Sequence, residues 1–339
     1  MNLKSLTLLF AKITLVFTFI VVIAGSVVRM TGSGMGCPDW PKCFGHLIPP
    51  TDESELKFSE GLQFDKGQML IYHDTLWVAQ DQVVLTDEFN RGEWKKYEKH
   101  DYATFNVLHT WVEYINRLAT VVYGFPVFLL SLCALLMLIR QRALMVFLLA
   151  LFMDIAIGYE VWLGKLVVDG NLKENSITYH MFGSIVIISL LLMLIRRLSA
   201  DEERKSTYTT LRVGMIITLV FTFIQIMLGT QVREEVDLVA KVTPDRSLWI
   251  DMLPTIFKIH RSFSILIVLF AVWLFLQYKK SATGIRQVNY VFILLGAELT
   301  IGVVLSYLSM PAMMQPLHLL TGVLLFAANF YAVLMMKKG

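Results

Sequence analysis

Eight long apolar stretches restrict what this chain of 339 residues can fold into more than any other feature. Each is long enough for a helix to cross the roughly 30 Å hydrocarbon layer of a bilayer, where a helix satisfies its own backbone hydrogen bonds. The composition agrees, because 56% of the residues are hydrophobic and 17% are charged, against about a quarter charged in soluble proteins. We therefore predict an all-α integral membrane protein with eight transmembrane helices. The predicted spans are 6–28, 118–139, 143–163, 177–195, 213–232, 256–276, 288–308 and 317–335.

Basic residues are concentrated in the loops on one side of these spans. By the positive-inside rule this side is cytoplasmic, so both termini are predicted inside. The first span has no small-x-small cleavage site after it and is expected to remain as an anchor. The net charge of +3 is thus a sign of topology and gives no reason to expect nucleic-acid binding. The basic loop residues are Arg140, Arg142, Arg196, Arg197, Arg204, Lys205, Arg212, Lys279, Lys280, Arg286, Lys337 and Lys338.

An internal repeat predicts how the spans are organised. The octamer "ITLVFTFI" occurs at 13–20 and again at 217–224, and at the same offset Gly25 matches Gly229 and Arg29 matches Arg233. We predict two pseudo-symmetric four-helix bundles, 1–200 and 201–339, related by an axis along the membrane normal. The first half includes an outer segment, 29–108. Looser matches pair Asn116-Arg117 with His260-Arg261, Asp154 with Glu298, Gly158 with Gly302, and His180 with His318.

The odd-numbered spans share a second pattern, in which a variable residue lies four positions before a glycine. Four residues is about one helical turn, so both members of each pair lie on one face. The glycine allows close approach either of a neighbouring helix or of a bulky flat ligand, and both interpretations stay open. The pairs are Val21 and Gly25, Asp154 and Gly158, Gln225 and Gly229, and Glu298 and Gly302.

Four histidines lie near the outer ends of the even-numbered spans: His109, His180, His260 and His318. Neutral imidazole binds zinc, copper or haem iron, and facing histidines in a helix bundle suit haem. Zinc is disfavoured because no carboxylate or cysteine cluster accompanies them. No helix carries two histidines about four turns apart, so the pattern favours two haem sites side by side over an electron path across the membrane. The remaining histidines, His46, His73 and His100, are expected to be solvated.

Two of the three cysteines, Cys37 and Cys43, lie in the outer segment. That compartment permits disulfides, and the short intervening sequence with Pro38 and Pro41 suits a closed loop. We predict a disulfide between them, with either a structural or a redox role. Cys133 is expected to be a core residue.

These motifs together resemble the haem A synthase family, whose members convert haem O to haem A. The resemblance covers nearly the whole chain except about 51–106. Its motifs are "GSVVRMTGSGMGCPDWPKCFGHLIPP", "EYINR", "YHMFG", "LGTQVR", "IHR" and "PLHLLTG".

The resemblance implies eight helices in two similar halves. The carboxyl-terminal half would bind a haem b cofactor through His260 and His318, with Arg261 beside it. The amino-terminal half would receive the substrate haem O through His180, Glu113, Asn116 and Arg117, and Cys37 and Cys43 match a family cysteine pair. The reaction would oxidise one methyl group of haem O, by successive hydroxylation and loss of water, to a formyl group.

One position departs from the family pattern. Members often read E-x-x-H-R before the second span, whereas this chain has Asn116, a poor iron ligand. His109 could substitute, His180 could hold the iron alone, or the first half could have lost catalysis. We prefer the second interpretation, because a five-coordinate iron keeps one position open.

Several charged residues have a functional and a plainer interpretation. Glu113 could carry protons or pair with Arg117. Arg29, Arg117, Arg233 and Arg261 could bind haem propionates or reach for the membrane interface. Asp154 and Glu298 could form a proton path or join helices by hydrogen bonds.

The main hypothesis is a haem A synthase of the bacterial inner membrane. The alternative is a non-catalytic haem-binding or electron-transfer cytochrome, and the repeat alone would also suit a transporter. Expected partners are membrane lipid, the haem O-producing farnesyltransferase (haem O synthase) and an electron donor.

Overall fold

A computed structural model describes residues 2–99, 104–169, 175–199, 205–207, 209–281 and 285–338. Eight of its helices are long and apolar enough to cross a membrane, which confirms the prediction of a mostly helical, multi-pass membrane protein. They are α1 (Leu3–Met30), α2 (Val107–Gln141), α3 (Leu144–Asp169), α4 (Ser176–Leu198), α5 (Thr209–Val242), α6 (Thr255–Ser281), α7 (Arg286–Tyr307) and α8 (Met314–Met335). A single helical turn, Trp249–Met252, precedes α6.

Two helices extend well beyond their apolar stretches. Helix α2 begins at Val107, so "EYINR" lies inside the helix, and the prediction that it precedes the helix was wrong. Helix α5 likewise continues to Val242. Hydropathy identifies the part of a helix that suits lipid, whereas a helix continues wherever its polar side chains find partners.

One compact unit consists of Met1–Ser26, Val121–Glu160 and Ile177–Gly339. Its described helices bury several apolar clusters, one of which contains Leu130, Met153 and Leu191. A second cluster joins Leu211, Met215 and Leu274 in the carboxyl-terminal half. Two short parallel strands, β6 (Lys205–Thr207) and β7 (Met336–Lys338), complete this unit.

The other compact unit consists of Val27–Thr120 and Val161–Ser176. It contains two small antiparallel sheets, one of order β1-β4 and one of order β2-β3-β5. An aromatic cluster that includes Phe64, Trp94 and Phe89 stabilises them. The sequence patterns predicted no structure for 51–106, so these strands are new. Their bounds are β1 Gln63–Phe64, β2 Met69–Tyr72, β3 Thr75–Ala79, β4 Val83–Val84 and β5 Trp94–Lys96.

The division into pseudo-symmetric bundles at 1–200 and 201–339 stays a prediction. Among the outer histidines, His73 is exposed as expected, whereas His46 is half-buried beside Gln68, with 3.2 Å between His46 Nδ1 and Gln68 Nε2. His100 lies outside the described residues.

Candidate functional site

Two histidines face each other in the carboxyl-terminal half of the chain. His260 lies in the second turn of α6, and His318 lies in the second turn of α8. Their ring centroids are 6.4 Å apart, and the ring planes are nearly perpendicular at 88°. Two imidazoles that ligate one metal ion from opposite sides have centroids roughly 6 Å apart, because two metal–nitrogen bonds of about 2 Å add to roughly 1 Å from each nitrogen to its ring centroid. The centroid spacing of the pair therefore matches that of two imidazoles that share one iron.

Glycines of the two odd-numbered helices make room for these rings. A methyl group at Gly229 in α5 would lie 3.2 Å from Cε1 of His260, and one at Gly302 in α7 would lie 3.5 Å from Cε1 of His318. In this half, the glycine of the repeated pattern thus lies against a histidine ring.

The residue four positions before each glycine contacts the same histidine. Gln225 donates from Nε2 to the backbone carbonyl of His260 at 3.0 Å, and its Nε2 also lies 3.4 Å from the ring Nε2. Glu298 Oε1 lies 3.0 Å from Nδ1 of His318, close enough for an ion pair, although the ring N–H does not point along a hydrogen bond. The recurring pairs Gln225/Gly229 and Glu298/Gly302 therefore each form one wall of a histidine pocket.

Several buried polar atoms of this pocket are not used by other protein groups. His260 Nδ1, Gln225 Oε1 and Glu298 Oε2 are buried and have no hydrogen-bond partner within the described residues. Buried polar groups in proteins are nearly always satisfied, so atoms of this kind call for an explanation. No three His, Cys, Asp or Glu side chains in the described part of the chain come together as a metal cluster. Two opposed imidazoles are nevertheless the complete axial set that a haem iron needs.

His180 in α4 has a carboxylate partner that the sequence patterns did not indicate. Its Nδ1 lies 2.7 Å from Oε2 of Glu160 in α3. Glu160 in turn packs on Gly183, where an added methyl group would lie 1.8 Å from the Glu160 Oε1 atom. The repeat had aligned Asp154 with Glu298, but Asp154 accepts hydrogen bonds of 2.9 and 2.8 Å from the hydroxyl of Ser131 instead. Glu160, and not Asp154, is therefore the acid that approaches a histidine in the first half, as Glu298 does in the second.

Glu113 is buried in the unit that contains the outer segment. Its side chain is 6% exposed and lies 2.5 Å from Nη2 of Arg117. The backbone N–H of Cys37 donates to Glu113 Oε2 at 2.9 Å. The plainer interpretation of Glu113, an ion pair with Arg117, is therefore a contact that the structure contains, and Glu113 also holds the disulfide loop against α2.

Arg117 ties the same loop to the helix. Its Nη1 donates to the carbonyls of Asp39 at 2.7 Å and Lys42 at 2.8 Å, and its Nη2 donates to the carbonyl of Cys37 at 3.4 Å. With Glu113 included, this guanidinium has four acceptors before any propionate is considered. The neighbouring Asn116 is half-buried, and its backbone carbonyl accepts a hydrogen bond from the Thr120 hydroxyl.

The predicted disulfide between Cys37 and Cys43 is present. The loop that it closes lies directly on α2, because Gly36 approaches the backbone of the helix so closely that an added methyl group would be 2.3 Å from the His109 carbonyl oxygen. The hydroxyl of Thr110 donates to the Gly36 carbonyl at 2.8 Å. His109 is thus half-buried beside this contact.

Two side chains near the disulfide have shifted acidities. Burial raises the pKa of Asp39 above its usual 3.8, against the opposing effects of the Gly45 N–H bond and the Arg117 charge. Burial also raises the pKa of Tyr97 to about 12. The Tyr97 hydroxyl therefore remains a donor at ordinary pH, and it donates to the carbonyl of Pro38 at 2.6 Å.

Two of the other predicted arginines, Arg233 and Arg261, differ in their surroundings. Arg233 contacts the side chains of Asp237 and Gln315. Arg261 is exposed, and its guanidinium carbon lies 5.7 Å from the centre of the Phe257 ring. Arg261 is therefore the more accessible of the two for an anionic group.

Comparison with known proteins decides the family. The sequence matches the family described as Cytochrome oxidase assembly protein (COX15-CtaA) over residues 8–75 and 78–330. The chain belongs to this family. The match confirms the resemblance drawn from the motifs and extends through nearly all of 51–106, which those motifs do not cover.

Curated relatives in the COX15-CtaA family match over shorter stretches. The Heme A synthase of Shewanella oneidensis is 47% identical over 51 residues, which is 15% of this chain and 16% of the relative. That of Symbiobacterium thermophilum is 51% identical over 78 residues, 23% of this chain and 25% of the relative. That of Shouchella clausii is 40% identical over 68 residues, which is 19% of this chain and 23% of the relative. The matched stretches thus span a quarter or less of each relative.

Proposed function

We propose that this chain is a haem A synthase that oxidises a methyl group of haem O to a formyl group and uses haem b as its cofactor. The observation that carries the proposal is the opposed pair His260 and His318, whose 6.4 Å spacing fits one six-coordinate iron. Membership of the COX15-CtaA family and the relatives named Heme A synthase support the same activity.

His260 and His318 would hold haem b, with Arg261 available to one propionate. Bound there, haem b would supply one-electron redox chemistry to the neighbouring half. The chain's own contribution is to fix both imidazoles: the glycines at 229 and 302 leave space for the rings, and Gln225 and Glu298 occupy their edges.

The amino-terminal half would receive haem O as substrate, with His180 as the iron ligand. Asn116 provides no second strong ligand, so the substrate iron would keep one position open. Two hydroxylations, with dioxygen as the oxidant and the proposed electron donor as the source of the accompanying electrons, would place two hydroxyl groups on one methyl carbon, and loss of water from this diol would leave the formyl group. Asn116 and Arg117 would lie along the porphyrin edge.

Glu113 is proposed as the proton-carrying group of this half. It is buried, and its two carboxylate oxygens accept from the Cys37 N–H and from Arg117, so the orientation of the side chain is fixed. A carboxyl group held in this way can take and return a proton at a constant place. Arg117 would act by orienting Glu113 and the loop, because its donors are already engaged.

The proposed membrane orientation rests on the distribution of charge. Basic residues in the short loops favour both termini in the cytoplasm and the outer segment outside, in the inner membrane of a bacterium. The farnesyltransferase that makes haem O and an electron donor are the proposed partners.

Variants with defined ligand changes test the proposal. Wild type, His260→Ala, His318→Ala and Glu113→Gln would be purified from cells that make haem O, and bound and extracted haems would be identified in each. We expect His260→Ala and His318→Ala to lose haem b. Glu113→Gln should retain haem b and fail to make haem A, because it keeps the shape of the side chain and removes the carboxylate.

Three results would contradict the proposal. Haem b retained in both histidine variants would exclude the ligand pair. Haem b lost from Glu113→Gln but retained in His260→Ala would reverse the proposed division between the halves. A wild-type protein that carries haem b and makes no haem A would instead favour the electron-transfer cytochrome.

A further inference from the structure

Each half of the chain contains one histidine whose Nδ1 faces a carboxylate from the preceding helix. In the first half, His180 Nδ1 lies 2.7 Å from Glu160 Oε2, and in the second, His318 Nδ1 lies 3.0 Å from Glu298 Oε1. Both carboxylates occupy equivalent places, since Glu160 is nine residues before the end of α3 and Glu298 is nine residues before the end of α7. The two pairs therefore repeat in position, although only His180 is hydrogen-bonded to its carboxylate, whereas His318 lies within ion-pair distance of Glu298.

We propose that Glu160 is a positioning residue that holds His180 in the orientation required to bind the iron of the substrate haem, and that Glu298 does the same for His318 and haem b. This inference rests on the proposed function, because it assumes that both histidines are haem ligands. Neither carboxylate belongs to the ligand set or to the proton-carrying role proposed for Glu113.

The chemistry of the His180–Glu160 pair assigns a direction to the His180 ring. A carboxylate can only accept a hydrogen bond, so the proton of His180 lies on Nδ1. The lone pair of Nε2 is then left for a metal. A partner of this kind also fixes the rotation of the ring and makes the imidazole a stronger donor to the metal. Such support would be most valuable if His180 is the only strong ligand of the substrate iron.

The surroundings of Glu160 hold the carboxylate in place. Its side chain is 17% exposed, and Oε1 is buried with no hydrogen-bond partner among the described residues. Gly183, three residues after His180 in α4, leaves the space that the carboxylate fills: a methyl group there would be 1.8 Å from Oε1 and 2.8 Å from Cδ. Gly322 takes the same part in the second half, because a methyl group added there would lie 3.1 Å from Glu298 Oε1.

His260 differs from the other two histidines. Its neighbour is Gln225, whose amide nitrogen approaches the ring at 3.4 Å, and no carboxylate of the described residues is paired with it. A bis-histidine site with one carboxylate-supported ligand is thus predicted for haem b, and a single supported ligand for the substrate haem.

The test is a titration of haem O into the purified full-length protein that retains haem b. We expect Glu160→Gln, which keeps the size of the side chain, to weaken haem O binding by about 10- to 100-fold without changing the haem b content. Gly183→Ala should have the same effect, because the clashing atom is the movable end of Glu160 and the helix can accept alanine. Gly164→Ala is the matched control on α3, since a methyl group there meets nothing within 4 Å.

Readouts besides affinity separate positioning from packing. The electron paramagnetic resonance signal of ferric haem O should change in Glu160→Gln, and the midpoint potential of haem b should rise in Glu298→Gln, because a less basic imidazole stabilises ferric iron less. Unchanged haem O affinity and an unchanged signal in both Glu160→Gln and Gly183→Ala would overturn the inference and leave the function intact. If His180→Ala also bound haem O normally, or if wild type bound none, the proposed ligand itself would be wrong.

Discussion

The contact between the disulfide loop and α2 can be tested by adding a single methyl group. In Gly36→Ala, the new Cβ would be 2.3 Å from the carbonyl oxygen of His109, 2.5 Å from its carbonyl carbon and 2.8 Å from the nitrogen of Thr110. All three are backbone atoms of a helix and cannot rotate away. Ordinary carbon contacts are about 3.5–4.0 Å, so the loop must move from α2 by about 1 Å or more.

Moving the loop away from α2 lowers the free energy of unfolding, because it stretches two hydrogen bonds. The Cys37 N–H donates to the Glu113 carboxylate at 2.9 Å, and the Thr110 hydroxyl donates to the Gly36 carbonyl at 2.8 Å. A hydrogen bond to a charged group contributes about 1.5–3 kcal/mol and a neutral one about 1 kcal/mol. We therefore expect Gly36→Ala to lower the free energy of unfolding by about 3 kcal/mol.

The assay is thermal or denaturant unfolding of the purified protein in detergent, together with protease cleavage within the outer segment. Gly92→Ala is the control, because it adds the same methyl group in the same segment with its nearest contact at an ordinary 3.4 Å. Gly36→Ala should melt at a lower temperature and be cleaved faster than both wild type and Gly92→Ala. Equal stability of Gly36→Ala and Gly92→Ala would refute the close packing of the loop on α2.

Three further predictions address the histidine pocket, the disulfide and a buried acid. Gly229→Ala should weaken haem b binding more than Gly302→Ala, because the added methyl groups lie 3.2 and 3.5 Å from the rings; equal haem b content in both would contradict this. Cys43→Ser should destabilise the protein by about 2 kcal/mol, the chain-entropy value for a short closed loop, as measured against wild type in oxidising buffer; no loss would argue that the contacts on α2 suffice. Since burial raises the pKa of Asp39 above 3.8, its stabilising effect is complete below about pH 4 and is lost as the pH rises through the folded-state pKa. As the pH is raised from about 4, the melting temperature of Asp39→Asn should therefore decline less than that of wild type. The same pH profile of melting temperature in both proteins would show that Asp39 does not contribute to the decline.

The membrane helices were predictable because the physics that forms them is local. A stretch of about 20 apolar residues has no stable alternative in lipid, and the structure has a helix for each predicted span. Helix ends were less predictable, because they depend on tertiary partners. Glu113 and Arg117 are helical since the loop that includes Cys37 satisfies them, and sequence hydropathy contains no information about that loop.

The histidines were predicted from their matched positions, whereas the carboxylate of the first half was missed. The repeat aligned Asp154 with Glu298 through the neighbouring glycines, but Glu160, about a turn and a half further along α3, contacts His180. Alignment through the glycines concealed this partner, although Glu160 and Glu298 each lie 20 residues before their histidine. The acid in "GYE" at Glu160 was the available signal, since an ionisable residue within an apolar helix usually has a specific partner. The strands of 51–106 were missed because they are very short and alternate poorly.

Analysis of the haems made in cells is the most direct test of the central claim. The wild-type chain would be expressed in cells that make haem O but no haem A, and the total haem would be extracted and separated. We predict that haem A, or its hydroxylated precursor, accumulates when the chain is present, and that the purified chain carries haem b. Haem O remaining unconverted, while the purified protein carries haem b, would contradict the claim.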